Sequence, residues 1–254
     1  MSTPDIAIER NDGILTLRLQ RPEKKNALTM AMYGAMREAV LAANDDPEIR
    51  AIVITGTEDC FTAGNDLADF QQRASREPQP NESSGLQMIE ALMACETPVI
   101  AAVNGLAIGI GTTMLLHCDF VYAGRSARFS TPFVDLGLCP EAASSLLLPL
   151  IAGPRRAAEM LLAGESLDAE QALACGLVNA VVDDAETLAR ARQQAERMAQ
   201  KPRESVRLTK RLLRRFWSPA VAETLDYERE RFAERLRSAE AQAAFAAFFA
   251  RSKR

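Results

Sequence analysis

Phe61-Thr62-Ala63-Gly64-Asn65-Asp66-Leu67 and Val103-Asn104-Gly105-Leu106-Ala107-Ile108-Gly109-Ile110-Gly111 each follow a short β-branched run and lead toward a helix. Glycine permits the close approach and unusual torsions of a tight turn, and a following helix start adds positive potential. Two such turns can aim two backbone N–H groups at one oxygen and hold negative charge as it develops there. The expected donors are the N–H of Asn65 and the N–H of Ile110, roles set by position and not by side chain. An enolate held in this way needs a base, and the candidate is Glu141 in Leu138-Cys139-Pro140-Glu141. Two plainer readings stand beside this one. Each turn taken singly suits an ordinary strand-to-helix connection, and Glu141 could simply complement the dipole of an apolar helix that Pro140-Glu141 opens.

Working outward, Asp5 to Arg10 and Ile14 to Leu19 are strand-like, and Asn11-Asp12-Gly13 supplies the positive-φ residues of a hairpin. Thr29 can cap a helix to about Ala43, with Tyr33, Met36 and Val40 on one face. Ala51 to Gly56 reads as a buried strand. A helical start at Leu67 to Gln72 follows the first turn. Arg73 to Gly85 is then a loop rich in Ser, Pro, Glu and Gln, placed where a lid would sit. A helix from Leu86 to Cys95 precedes the strand Pro98 to Val103. A further helix begins at Gly109 or Gly111 and ends near Cys118, and Asp119 to Ala123 returns as a strand. This recurring order of strand, strand, turn and helix predicts an α/β fold built as a β–β–α spiral, not a Rossmann sheet.

Past Gly153 the pattern is helical: Arg155 to Ala163, then Ala169 to Cys175 capped by Asp168 and stopped by Gly176, a strand at Val178 to Val182, and three longer helices. The expected division is a spiral core over 1–186 and a C-terminal helical region over 187–254. That region carries Phe216, Trp217, Phe232, Phe245, Phe248 and Phe249, which should dock on a neighbouring subunit or on the chain's own core. Arg203, Arg207 and Arg211, with Lys210 and Arg214 adjacent, form a basic face that either meets phosphates or is solvated.

Among the 254 residues, 48% are hydrophobic and 25% charged, enough for a sizeable core, and the net charge of −4 argues against a nucleic-acid or anionic-membrane role. The amino end lacks a signal-peptide pattern and no apolar stretch is long enough to span a bilayer, so a cytoplasmic location is expected. Cys60, Cys95, Cys118, Cys139 and Cys175 form no C-x-x-C pair and read as core residues. His117 is the single histidine, flanked by Leu115, Leu116 and Cys118, and reads as structural. No G-x-S-x-G elbow occurs, and no ligand cluster predicts a metal. A G-x-G-x-x-G dinucleotide fingerprint fails at Met114.

Four segments follow one another in a telling order: RPEKKNAL at Arg21 to Leu28, FTAGNDLADF at Phe61 to Phe70, PVIAAVNGLAIGIG at Pro98 to Gly111, and RFSTPFVDLGLCPEAASS at Arg128 to Ser145. Over about Ile6 to Val182 the chain resembles the crotonase (enoyl-CoA hydratase/isomerase) superfamily. The GNDL turn, the STPF-x-x-LG-x-x-PE run and AEMLLAGE-x-LDAEQA-x-x-GLV look most like its peroxisomal-type Δ3,Δ2-enoyl-CoA isomerases. The resemblance implies a crotonase-like spiral core, a homotrimer or dimer of trimers, and an acyl-CoA substrate with no cofactor beyond the coenzyme A that the substrate carries.

By motif, the two glutamates of enoyl-CoA hydratases are replaced by Thr113 and Phe133, while Glu141 stands where the isomerase branch keeps its carboxylate. The resemblance therefore implies double-bond transfer from C3 to C2 with Glu141 as base. The alternatives are hydration, another enolate-forming isomerisation such as that of an aromatic-acid CoA ester, or acyl-CoA binding without turnover. It also implies that Ala63, Gly64, Asp66 and Leu67 line the thioester and pantetheine path with Gly109 and Phe133, and that Lys24 and Asn26 lie near the CoA head. Ala142 replaces the branch's usual Gly, and its methyl could narrow the pocket.

Overall fold

The computed structural model describes residues 3–69 and 85–251. The hairpin forms as expected from β1 (Ile6–Asn11) and β2 (Ile14–Leu19), turned by Asp12 and Gly13 at φ 51° and 73°. Three pairs of strands follow, in each of which a longer member precedes a three-residue one: β3 (Ala51–Thr55) and β4 (Cys60–Thr62), β5 (Val99–Val103) and β6 (Leu106–Ile108), β7 (Phe120–Gly124) and β8 (Arg128–Ser130). The strands β9 (Leu167–Asp168) and β10 (Ala180–Val182) complete two sheets. The larger sheet has the order β1-β2-β3-β5-β7-β10 and the smaller one the order β4-β6-β8-β9. The chain thus climbs one step of a spiral per pair, the predicted α/β β–β–α architecture.

β4, β6 and β8 are neighbours and parallel. Their exits therefore open on the same edge, about 4.8 Å apart from strand to strand. This register brings together three segments distant in sequence.

The helices fill the remaining layers. In α1 (Met30–Asp45), capped by the Thr29 hydroxyl at 3.3 Å from the Met32 N–H, Met32, Tyr33, Met36 and Val40 are buried. α2 spans Gly85–Ala94. Leu67 to Asp69 are helical, as expected; the remainder of that start, and the lid expected over Arg73 to Gly85, lie outside the described residues up to Gly85 itself. After β6 the helix α3 (Ile110–Thr113) makes a single α turn, then a 3-10 turn through Met114–His117. α4 (Ser144–Ala152) begins three residues after Glu141, so Glu141 does not open it. α5 (Pro154–Leu161) and α6 (Ala169–Ala174) follow, the latter with a capping box between Asp168 and Gln171.

Beyond residue 186 there are four helices among the described residues, where three were expected: α7 (Thr187–Ala199), α8 (Arg203–Arg214), α9 (Ser218–Leu236) and α10 (Ala239–Arg251). Pro202 precedes α8 and Pro219 sits in the first turn of α9, positions that interrupt a continuous helix. α7 packs Ala191 and Ala195 onto Ile14, Val53, Ile100 and Tyr122, on the face of the large sheet.

Much of the basic face of α8 turns onto the protein itself, while Arg211 is exposed. Arg207 donates to Glu96 at 2.6 and 2.9 Å, and Lys210 to Asp119 at 2.6 Å and to the Thr97 carbonyl at 2.8 Å. Arg214 donates to the Leu92 and Met93 carbonyls at the end of α2, where helix acceptors lack intrahelical partners. The helix is thus docked by its polar side, and Leu208, Leu212, Leu213 and Phe216 face outward. The terminal aromatics divide: Phe245 is buried in the core, with Phe232 and Phe249 packed against it, while Phe216 is 91% exposed.

Candidate active site

The three exits of β4, β6 and β8 are tied to one another. Gly64, at φ 86°, passes so close to the next turn that a Cβ on it would lie 2.6 Å from the Ile108 carbonyl oxygen. The Gly109 N–H in turn donates to Ser130 O at 2.8 Å. Gly109 adopts φ 57° and ψ −119°, a conformation open to glycine alone.

Both expected amides are left free by this geometry. The Leu28 N–H donates to Gly64 O and Leu28 O accepts from the Asp66 N–H, at 2.8 and 2.9 Å. The groups on either side of Asn65 thus face Leu28, and its own N–H turns the other way, with no acceptor among the described residues. The side chain of Asn65 is held by the Tyr33 hydroxyl, which donates to Oδ1 at 2.6 Å. Ile110 is the first residue of α3, where an amide has no intrahelical partner. Phe133, buried, packs its ring over Gly109.

Glu141 hangs from the third exit. Its Oε1 accepts from the Thr113 hydroxyl at 2.8 Å, and Oε2 has no partner among the described residues. Burial pushes its carboxyl up to about 7; the Thr113 bond opposes that rise and the negative charge of Glu228 adds to it. A group poised there can both take and return a proton at neutral pH.

The turn that follows is unusual. Ala142 and Ala143 are both left-handed, at φ 58° and 56°, which explains why glycine suits position 142. The Ala142 methyl is 2% exposed and belongs to the hydrophobic core. His117 lies beneath, its Nε2–H donating to Ala142 O at 2.8 Å. Burial holds its imidazole down at about 4, so it is a neutral donor and not an acid or base near pH 7. Above, the Glu228 carboxylate accepts from the N–H groups of Ala143 and Ser145.

Two of the expected contact residues have their side chains engaged within the fold. Asn26 is fully buried: its amide donates to Thr57 Oγ1 and to the Cys60 and Phe61 carbonyls, and its Oδ1 accepts from the Arg21 N–H, so its side chain is engaged within the loop. Asp66 pairs with Arg21 at 2.7 Å and accepts from the Ala68 and Asp69 amides, which shapes the turn. Desolvation would raise its pKa, yet these bonds together lower it. Lys24 is exposed on a 3-10 turn, and Ala63 and Leu67 are half-buried along the first exit.

His117 is structural, as expected, but the sequence reading missed the roles of Tyr33 and Glu228. The signal for Glu228 was its spacing: Val221, Leu225, Glu228 and Phe232 form one stripe of α9, apolar but for this carboxylate.

A ββα spiral whose adjacent strand exits pair free amides with a half-buried carboxylate defines an acyl-CoA enzyme of the crotonase superfamily. The model of the enoyl-CoA hydratase/isomerase family matches residues 9–254, and the chain belongs to that family. It is 36% identical over 211 residues to a crotonyl-CoA hydratase of Syntrophomonas wolfei, spanning 83% of this chain and 81% of that protein. It is 35% identical over 214 residues to enoyl-CoA delta isomerase 2 of Homo sapiens, spanning 83% of this chain and 54% of the relative. A solved enoyl-CoA hydratase/isomerase from Pseudoalteromonas atlantica superposes with a TM-score of 0.92 at 44% identity, covering 97% of each chain. Relatives of both activities stand at similar distance, so the reaction must be argued from the site.

Proposed function

We propose that the protein is a Δ3,Δ2-enoyl-CoA isomerase, with Glu141 as its single proton-transfer group. The observation that carries this reading is the half-buried Glu141 carboxylate, raised to about 7 and bonded to Thr113, in a chain that has Thr113 and Phe133 where a hydratase would keep its glutamates. The thioester oxygen accepts from the N–H groups of Asn65 and Ile110. The Glu141 carboxylate removes a proton from C2, and the electron pair spreads over a dienolate from the oxygen to C4. The protonated Glu141 then returns its proton to C4, leaving the double bond between C2 and C3. The proton is conserved within the site, and no water is consumed. Thr113, bonded to Oε1, fixes the carboxylate so that Oε2 faces the substrate. Ala63, Gly64, Leu67, Gly109 and Phe133 line the acyl and pantetheine path in this reading, and Lys24 stands near the CoA phosphates.

Glu141→Gln keeps the bond from Thr113 and cannot accept the proton. Its turnover of 3-hexenoyl-CoA should fall by roughly 100-fold or more, with hydration of crotonyl-CoA slight in both proteins. Near wild-type turnover in the variant would refute the assignment. The outward apolar residues of α8 support a homotrimer or a dimer of trimers.

A further inference from the structure

We infer that Glu228, on α9, is a positioning residue for Glu141: its carboxylate holds the strained turn that aims the base. This rests on the reading of Glu141 as the proton-transfer group. Two consecutive left-handed alanines cost about 1–2 kcal/mol each, and such a turn persists only where its surroundings over-determine it. The N-cap of α4 is Ala143, which has no side-chain acceptor for the first amides of that helix. Glu228, 85 residues away in sequence and 5% exposed, fills that place, accepting from Ala143 N–H at 2.6 Å and Ser145 N–H at 2.9 Å.

The turn is gripped on other sides too. His117 holds the Ala142 carbonyl from below at 2.8 Å, and the Ser144 N–H closes back on Glu141 O at 3.0 Å. Two turns along α9 from Glu228, Arg235 donates to Gly137 O at 3.1 Å. One helix therefore clasps both flanks of the segment that carries Glu141. Burying a carboxylate costs free energy unless it is paired or bonded, and Glu228 has no cation within salt-bridge distance among the described residues. Its two amide bonds, with a hydrogen bond from the Ser145 side chain, are what hold it there, and loosening them would let residues 142 and 143 relax and swing Glu141 away from the substrate.

The test uses the full chain with Glu228→Ala, Glu228→Gln and Glu228→Asp, and Glu141→Gln alongside. Glu228→Gln keeps the volume but turns one acceptor into a donor that faces an N–H. Should the alanine variant fail to fold, the glutamine variant carries the test. The expected result is kcat on 3-hexenoyl-CoA reduced roughly 10- to 100-fold and KM little changed. Hydrogen exchange at the Ala143 and Ser145 amides should be accelerated, and Glu228→Asp should recover part of the rate. Wild-type kcat in folded Glu228→Gln, a loss confined to KM, or unchanged exchange at those amides would overturn the inference. An inactive Glu141→Gln beside fully active Glu228 variants would sink the inference alone. A fully active Glu141→Gln would sink the reading beneath it, while the exchange data would still report whether Glu228 holds the turn.

Discussion

Glu141 sits between two opposing influences, burial that favours its neutral form and the Thr113 hydroxyl that favours the charged one. A base acts as the carboxylate, so kcat/KM for isomerisation should rise with pH through about 7. Thr113→Val removes the bond that stabilises the charge without changing the side chain's shape. The inflection should then move upward by roughly one pH unit; a pH–rate profile that stays put or moves downward would contradict this. The same group makes a prediction about stability. Its folded pKa lies above the ordinary 4.5, so the folded state binds the proton more tightly than the unfolded chain. Stability contributed by Glu141 is present below about 4.5 and is lost as pH rises to about 7. Glu141→Gln should therefore be more stable than the parent at pH 8, by up to roughly 3 kcal/mol, and should show little gain at pH 4. Denaturant melts at the two values would measure the difference.

Among the elements, the decisive contact is the approach of the β4 exit to the β6 exit. A methyl on Gly64 would meet a backbone carbonyl at 2.6 Å, which cannot yield as a flexible side chain would. Gly64→Ala should part the two turns and lower kcat roughly 100-fold, at a cost of about 1–3 kcal/mol in stability, read by steady-state kinetics and thermal melts of one preparation. A variant that kept full activity would mean that the amide pair does not depend on this contact.

Much at this scale was legible beforehand. Asn11-Asp12-Gly13 announced the hairpin, Thr29 the start of α1 and Asp168 the start of α6. The second sheet was not, because β4, β6 and β8 are three residues long, too short for alternation to register. The start of α4 was misplaced for a related reason: apolar composition reads helical from Pro140, whereas two left-handed alanines delay the helix to Ser144. The acidic residue that serves this helix's amino end is Glu228, and no local pattern near residue 141 could name it.

For the whole molecule, the telling feature is an amphipathic helix docked by its polar side. Arg203, Arg207, Lys210 and Arg214 repeat at helical spacing, which ordinarily marks a solvated face. Here the carbonyls of Asn44, Leu92 and Met93 and the carboxylates of Glu96 and Asp119 draw that face inward. Leu208, Leu212 and Leu213 of α8, and Phe216 just beyond it, are then outside, more apolar surface than a lone chain would favour. Light scattering at micromolar concentration should give a multiple of three chains of 27.7 kDa. Leu212→Glu combined with Phe216→Glu should shift the mass downward, and a wild-type mass of one chain would contradict the proposed assembly.

The parallel register of β4, β6 and β8 has an evolutionary consequence. If the proposed donors are the main-chain amides of Asn65 and Ile110, side-chain drift leaves them in place, while positions 113, 133 and 141 would offer separate mounting points for an acid around a common anion cradle. On that reading, a lineage with this scaffold trades one reaction for another by changing which of these posts carry carboxylates, without rebuilding the cradle.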